Sequence, residues 1–170
     1  MTRVSVIGNA GGGKSTLCAA ICAAHDLPNI SIDHLQWQPG WVPTPKATFN
    51  CAHQSALSQD RWLIDGFGPW DSVVERLKAS DTIIFVDHPL WLHYWWTTKR
   101  QIKSIFVGRP DGPNGCPMLP VTFRLYKMMW HVHRVLRPKL LAELSERAKT
   151  CRIIHIRSPR ELNTFKRNPI

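Results

Sequence analysis

Apolar residues occur along the chain in short β-branched runs separated by longer stretches of helical period. The runs are Arg3-Val4-Ser5-Val6-Ile7, Asn29-Ile30-Ser31-Ile32, Arg61-Trp62-Leu63-Ile64, Thr82-Ile83-Ile84-Phe85-Val86 and Cys151-Arg152-Ile153-Ile154-His155-Ile156. Nearly continuous apolar character over four to six positions reads as a strand buried on both faces. Between the runs, residues 17–24, 45–58, 70–79 and 90–103 read as helices, with Pro45 suited to a first helical turn. A long helical segment then carries Val121, Leu125, Met128, Met129, Val132, Val135 and Leu136 near 3.6 spacing. Pro138 breaks or kinks it, and a second stretch runs to about residue 149. Alternating strands and helices predict an α/β domain around a parallel sheet.

Two stretches fit neither period. Gln36-Trp37-Gln38-Pro39-Gly40-Trp41-Val42-Pro43-Thr44-Pro45 is rich in turn formers and aromatics and reads as a loop across the mouth of a site, with Trp37 and Trp41 either walling a pocket or anchoring the loop. Residues 104–120, with three glycines, four prolines and the cation Arg109, read as a flap. The helix over 90–103 concentrates Trp91, Tyr94, Trp95 and Trp96 with Lys99, Arg100 and Lys103. Such a mixture either packs in a core or stacks nucleic-acid bases, and packing is the expectation.

The first strand runs into Gly8-Asn9-Ala10-Gly11-Gly12-Gly13-Lys14-Ser15-Thr16, which fits G-x-x-x-x-G-K-S/T in its required place between a strand and a helix. A triphosphate must be surrounded by backbone N–H groups. Gly8, Gly11, Gly12 and Gly13 let the main chain approach it, and the N-terminus of the following helix points at the same anion. Lys14 is expected on the β- and γ-phosphates and Ser15 on Mg²⁺. Thr16 either approaches the α-phosphate or packs in the first turn. Three further strands end in carboxylates, namely Asp33, Asp65 and Asp87. Ligands in open α/β sheets sit beyond the carboxyl ends of the strands. Asp33 is therefore a candidate for an acceptor or a metal-bound water, with a cap or turn role as its alternative. Asp65 is the candidate for the Mg²⁺ water shell, with Asp87 as its competitor. The last strand delivers Arg157-Ser158-Pro159 either to a nucleotide base or to a plain N-cap by Ser158 with Pro159 at the first helical position.

A chain of 170 residues suits one domain over 1–170 that buries roughly 70 % of its unfolded surface. No stretch is long enough to span a bilayer and no leader precedes the first strand, so a cytoplasmic location is expected. The five cysteines and eight histidines show no zinc-ligand spacing and read as buried thiols and scattered imidazoles. The net charge of +10 is uneven: residues 1–98 carry six Lys/Arg against eight Asp/Glu, and residues 99–170 carry sixteen against four. That asymmetry fits a nucleotide or a nucleic acid.

With these motifs in place, the chain resembles the adenylate-kinase-related branch of phosphate-loop kinases, and especially the small proteins labelled topology modulation proteins. The resemblance is carried by Gly8 to Thr16, by Ser31-Ile32-Asp33-His34-Leu35-Gln36-Trp37 with Pro39-Gly40-Trp41, by Arg61 to Gly66 and by Ile84 to Pro89. Arg109-Pro110-Asp111, Gly115-Cys116-Pro117 and Arg157-Ser158-Pro159-Arg160-Glu161 also match. It implies a three-layer α/β/α domain whose five parallel strands run in the order 2-3-1-4-5, with a cationic lid over about 99–120. It also implies lid arginines at Arg100 and Arg109, an ATP·Mg²⁺-dependent kinase and a small-molecule acceptor. Adenylate kinases carry an acceptor-clamping arginine soon after Asp-Gly-Phe, whereas Gly68-Pro69-Trp70 stands here. The alternative is a nucleotide-binding regulatory protein or NTPase that acts on nucleic acid through its basic C-terminal part.

Overall fold

The computed structural model describes residues 1–107, 116 and 119–169. Strand β1 (Arg3–Gly8) leads to helix α1 (Lys14–His25), and β2 (Asn29–Ser31) runs at once into the short helix α2 (Ile32–Gln36). A hairpin of β3 (Trp37–Gln38) and β4 (Val42–Pro43) follows, with a 3-10 turn at its tip. Next come α3 (Lys46–Leu57), β5 (Trp62–Asp65), α4 (Trp70–Ala79), β6 (Thr82–Val86) and α5 (Leu90–Val107). Helix α6 (Thr122–His131) passes through a π-helical turn, Val132–Leu136, into α7 (Arg137–Arg147), and β7 (Arg152–Ile156) and α8 (Pro159–Arg167) end the fold.

Five strands form one parallel sheet in the order β2-β5-β1-β6-β7. The expected order 2-3-1-4-5 counted five strands. Seven are present because the stretch read as a loop over 36–45 folds into the separate β3-β4 pair, which shifts the numbering of every later strand. Two-residue strands are too short to leave a period in the sequence.

Alternation along each strand distributes the core between two faces. Val4 and Val6 of β1, Ile84 and Val86 of β6 and Ile156 of β7 pack on Leu17, Cys18 and Ile21 of α1 and Leu162 of α8. Ile7, Ile83 and Phe85 face the other way, onto Val73 and Leu77 of α4 and Leu140 and Leu144 of α7. Helices therefore cover both sides of the sheet, giving three layers.

Several other expectations change. The second strand stops at Ser31, which puts Asp33 inside α2 rather than at a strand end. Helix α5 reaches Val107, into the stretch read as irregular. Arg109 and most of the predicted lid lie outside the described residues. Trp91 and Trp95 are 68 % and 61 % exposed instead of packed. Of the cysteines only Cys18 is fully buried, and Cys51 is exposed. Among the described residues, no helix is long and apolar enough to cross a membrane.

Candidate active site

The loop between β1 and α1 wraps a cavity of about 330 Å³ lined by Gly8, Gly11, Gly12, Gly13, Lys14, Ser15 and Thr16. The glycines at its two bends are obligatory. Gly8 has φ 155° and Gly11 φ 71°, and a Cβ at these positions would strike the Val86 carbonyl oxygen and the Thr97 hydroxyl. Helix α1 starts behind Gly13 in a left-handed conformation with no side-chain cap, so its first N–H groups are left for an anion. The Lys14 ammonium donates to the Asn9 carbonyl at 3.0 Å, arching over the loop. The Thr16 hydroxyl donates to the Gly13 carbonyl at 2.9 Å and stays within the first turn.

Two helices brace this loop from behind. Buried Asn9 donates its amide to the Met129 carbonyl of α6 at 2.8 Å and accepts from the Ala10 N–H at 2.9 Å. The His93 Nδ1 of α5 lies 2.9 Å from the Ala10 carbonyl, to which it donates. Burial pushes the His93 pKa down to about 4, with Lys14 and His88 adding to the shift against the Ala10 hydrogen bond. The ring is thus neutral beside the loop.

Asp33, Asp65 and Arg100 line the same cavity as the phosphate loop. Asp65 ends β5 between Ser31 of β2 and Val6 of β1. Its Oδ1 is buried with no hydrogen-bond partner among the described residues. Burial pushes its carboxyl up; Lys14 opposes the shift and Asp33 adds to it. Asp87, the competing strand-end aspartate, is already engaged. It accepts from Arg137 Nε and Nη2 at 2.7 and 2.8 Å and from His155 Nε2 at 2.9 Å, and it does not line the phosphate-loop cavity.

The loop after β7 is also turned to local bonding. Ser158 accepts from the Glu161 N–H at 3.2 Å, Glu161 accepts from the Arg157 N–H at 2.8 Å, and Pro159 opens α8. Ser158 thus caps α8, and Glu161 reaches the N–H one residue before the cap. The Arg157 guanidinium donates to His155 Nδ1 and lines a cavity with Asp87 and Arg137, apart from the phosphate loop.

A second cavity of about 240 Å³ adjoins the first, and Gly8, Ala10, Asp33, Phe67, Arg100 and Met128 line both. Trp37 and Trp41, edge to face at 5.7 Å, form one wall. Val121, Leu125, Met128, Val132 and Leu136 form another. Most of the stripe that the sequence shows near 3.6 spacing therefore lines a hollow. Asn9, Phe67 and His93 had no signal of their own as site residues, and Met129 showed only as a member of the α6 stripe. Among the described residues, no cluster of three or more His, Cys, Asp or Glu is placed to hold a metal.

No protein-family model matches the chain, and no curated protein matches it. Solved structures do. A gluconokinase from Sinorhizobium meliloti 1021 is similar at 13 % identity and TM-score 0.56, over 98 % of this chain and 87 % of that one. Shikimate kinase from Bacteroides thetaiotaomicron is similar at 13 % identity and TM-score 0.51, over 99 % and 96 %. Shikimate kinase from Aquifex aeolicus vf5 is similar at 13 % identity and TM-score 0.50, over 98 % and 92 %. At such identities the likeness is one of architecture, and on it the chain shares the α/β fold of this gluconokinase and these shikimate kinases.

Proposed function

We propose that the chain is a single-domain, cytoplasmic, ATP·Mg²⁺-dependent kinase that transfers the γ-phosphoryl of ATP to a small-molecule acceptor. The observation that carries this reading is the junction of the two cavities, with a glycine-lined phosphate loop in one, an apolar chamber beside it, and Asp33 and Arg100 on the wall that they share. The loop N–H groups of Gly11, Gly12, Gly13 and Lys14, with the Lys14 ammonium, bind the phosphates. Ser15 and Asp65 hold magnesium, and the unpartnered Asp65 Oδ1 fits that task. Bound magnesium supplies positive charge to the phosphate oxygens. Asp33 orients the acceptor, Arg100 and Arg109 gather the moving charge, and Arg157, Ser158 and Pro159 flank the base with their backbone. Catalysis of this kind is positioning and charge neutralisation.

Lys14→Ala tests the reading. Product analysis by mass is expected to show phosphoryl transfer reduced by at least about 10²-fold. The melting temperature should hold, since the side chain's recorded bond is a single one to the Asn9 carbonyl. A folded Ala variant with full activity would overturn it.

A second reading, a nucleotide-binding regulatory protein or NTPase that contacts nucleic acid, is favoured by one observation. Trp91, Trp95, Phe123 and Trp130 are 53 to 70 % exposed, and cations lie over two of these rings, Lys127 over Phe123 and Arg134 over Trp130.

A further inference from the structure

The chamber beside the phosphate loop has a chemistry of its own. Its walls are mainly rings and branched aliphatics, among them Trp37, Trp41, Phe67, Leu125, Val132 and Leu136. At about 240 Å³ it exceeds the roughly 150 Å³ in which an apolar cavity takes up benzene. Its polar side chains fall into two sets. Asp33 and Arg100 also line the phosphate-loop cavity, whereas Gln36, Arg124 and His131 lie outside that cavity, and Asn9 is already bonded to the Met129 carbonyl and the Ala10 N–H. Arg124 and His131 stand seven residues apart on one face of α6, and the Arg124 guanidinium lies 5.5 Å from the centroid of the Trp37 ring.

An open-chain polyol does not suit such walls. Each hydroxyl buried there without a partner costs roughly 1–3 kcal/mol, and the rings and aliphatics that make up most of the walls offer none. Such walls suit a ring among the aromatics, with one hydroxyl toward Asp33 at the junction and an anionic group toward Arg124, whose fork matches a carboxylate. We infer that the acceptor is a carboxylate-bearing ring alcohol with an otherwise apolar body, bound in the chamber between the β3-β4 hairpin and α6. The inference rests on the kinase reading. In the step it implies, the acceptor hydroxyl oxygen forms a bond to the γ-phosphorus of ATP. The bond from that phosphorus to the bridging oxygen breaks, and its electron pair leaves on ADP. The hydroxyl proton passes to the Asp33 carboxylate and then to water.

The test incubates the full chain and Mg·ATP with 4-(hydroxymethyl)benzoate, benzyl alcohol, shikimate, gluconate and AMP in parallel, with products identified by mass and ADP measured. The highest kcat/KM is expected for 4-(hydroxymethyl)benzoate, with benzyl alcohol about tenfold lower for want of the charge-assisted bond to Arg124. Arg124→Ala is expected to raise KM for 4-(hydroxymethyl)benzoate about tenfold with kcat nearly unchanged, so that the gap between the two aromatic alcohols closes, and Arg124→Lys to restore part of it. A preference for gluconate, shikimate or AMP, or a gap that survives Arg124→Ala, overturns the acceptor class and leaves the kinase reading standing. Lys14-dependent ADP release with no phosphorylated organic product overturns the acceptor class and makes water the acceptor. No Lys14-dependent turnover at all overturns both.

Discussion

Asp65 and Asp87 stand at the carboxyl ends of β5 and β6, the two strands that flank β1, yet their surroundings give them opposite effects on stability. Asp65 has a buried oxygen without a partner, and burial raises its carboxyl pKa, opposed by Lys14 and reinforced by Asp33. A raised folded pKa means that the group costs stability as pH climbs from the ordinary carboxylate range through the raised value. Asp65→Asn is therefore expected to stabilise the ligand-free protein at neutral pH by about 1 kcal/mol, a rise of about 2–4 °C in Tm, and the gain should vanish in acid. The same variant is expected to lose at least about 10²-fold in phosphoryl transfer. Thermal melts over a pH series with a parallel activity assay check both. For Asp87, burial raises the pKa, but the hydrogen bonds from Arg137 and His155 outweigh it and the net shift is downward. Its contribution is present above the ordinary carboxylate range and is lost as pH falls through the lowered value. Arg137→Gln should cost about 2 kcal/mol at neutral pH, below the range for a fully buried pair because the arginine is 36 % exposed. In urea melts that cost should shrink toward acid pH. Asp87 is the carboxylate among the residues lining that cavity, with His88, His133, His155, Arg137 and Arg157 around it.

At the level of elements, the phosphate loop is strapped to two helices that come much later in the chain. Asn9 reaches a carbonyl 120 positions away, on α6. Past Met129 the helix opens into the π-helical turn, where the Arg137 N–H reaches the Val132 carbonyl. Pro138 has no N–H with which to continue an α pattern, and single π turns are frequent at functional sites. Here the turn sets Val132 and Leu136 on the chamber wall. Asn9→Ala removes one of two bonds to the Met129 carbonyl, which keeps the Val132 N–H, and is expected to cost about 1 kcal/mol and to raise KM for ATP more than it lowers kcat. Denaturant melts and steady-state kinetics would separate the two effects. The strands of the sheet were legible in the sequence because burial on both faces leaves an unbroken apolar run, and the phosphate loop because backbone approach demands glycine. The strap was not legible, since nothing in the neighbourhood of Asn9 points to Met129. Periodicity was also silent on cover: it tells which residues share a helix face, not what lies against it. Trp91 and Trp95 have core-like spacing and meet solvent, and the stripe on α6 has core-like spacing and meets a cavity.

Across the whole molecule, charge and exposed rings coincide. Between Asp87 and Glu143 the sequence has one acidic residue, Asp111, and nine lysines and arginines. Trp91, Trp95 and Ile102 share one face of α5, and Phe123, Lys127 and Trp130 share one face of α6, by their three- and four-residue spacings. The two faces meet where Tyr94 and Tyr126 pack edge to face at 5.4 Å, above a shallow recess lined by Tyr94, Tyr126, Lys127 and Trp130. A second copy of the chain would bring the same positive charge to this surface and be repelled. An anion with flat faces satisfies both features, which is the chemistry of single-stranded nucleic acid. Under the second functional reading, an oligothymidylate should quench tryptophan fluorescence without ATP, and the logarithm of its affinity should fall linearly with the logarithm of salt, by about 0.7 per phosphate contacted. Trp95→Ala and Trp130→Ala should each weaken binding by about 1–3 kcal/mol without altering Tm, because both rings are more than half exposed. Lys127→Gln should flatten the salt slope by about one phosphate contact. Affinity indifferent to salt, or to both tryptophans, would remove nucleic acid as the occupant of this face and leave the kinase reading as the sole account of the charge.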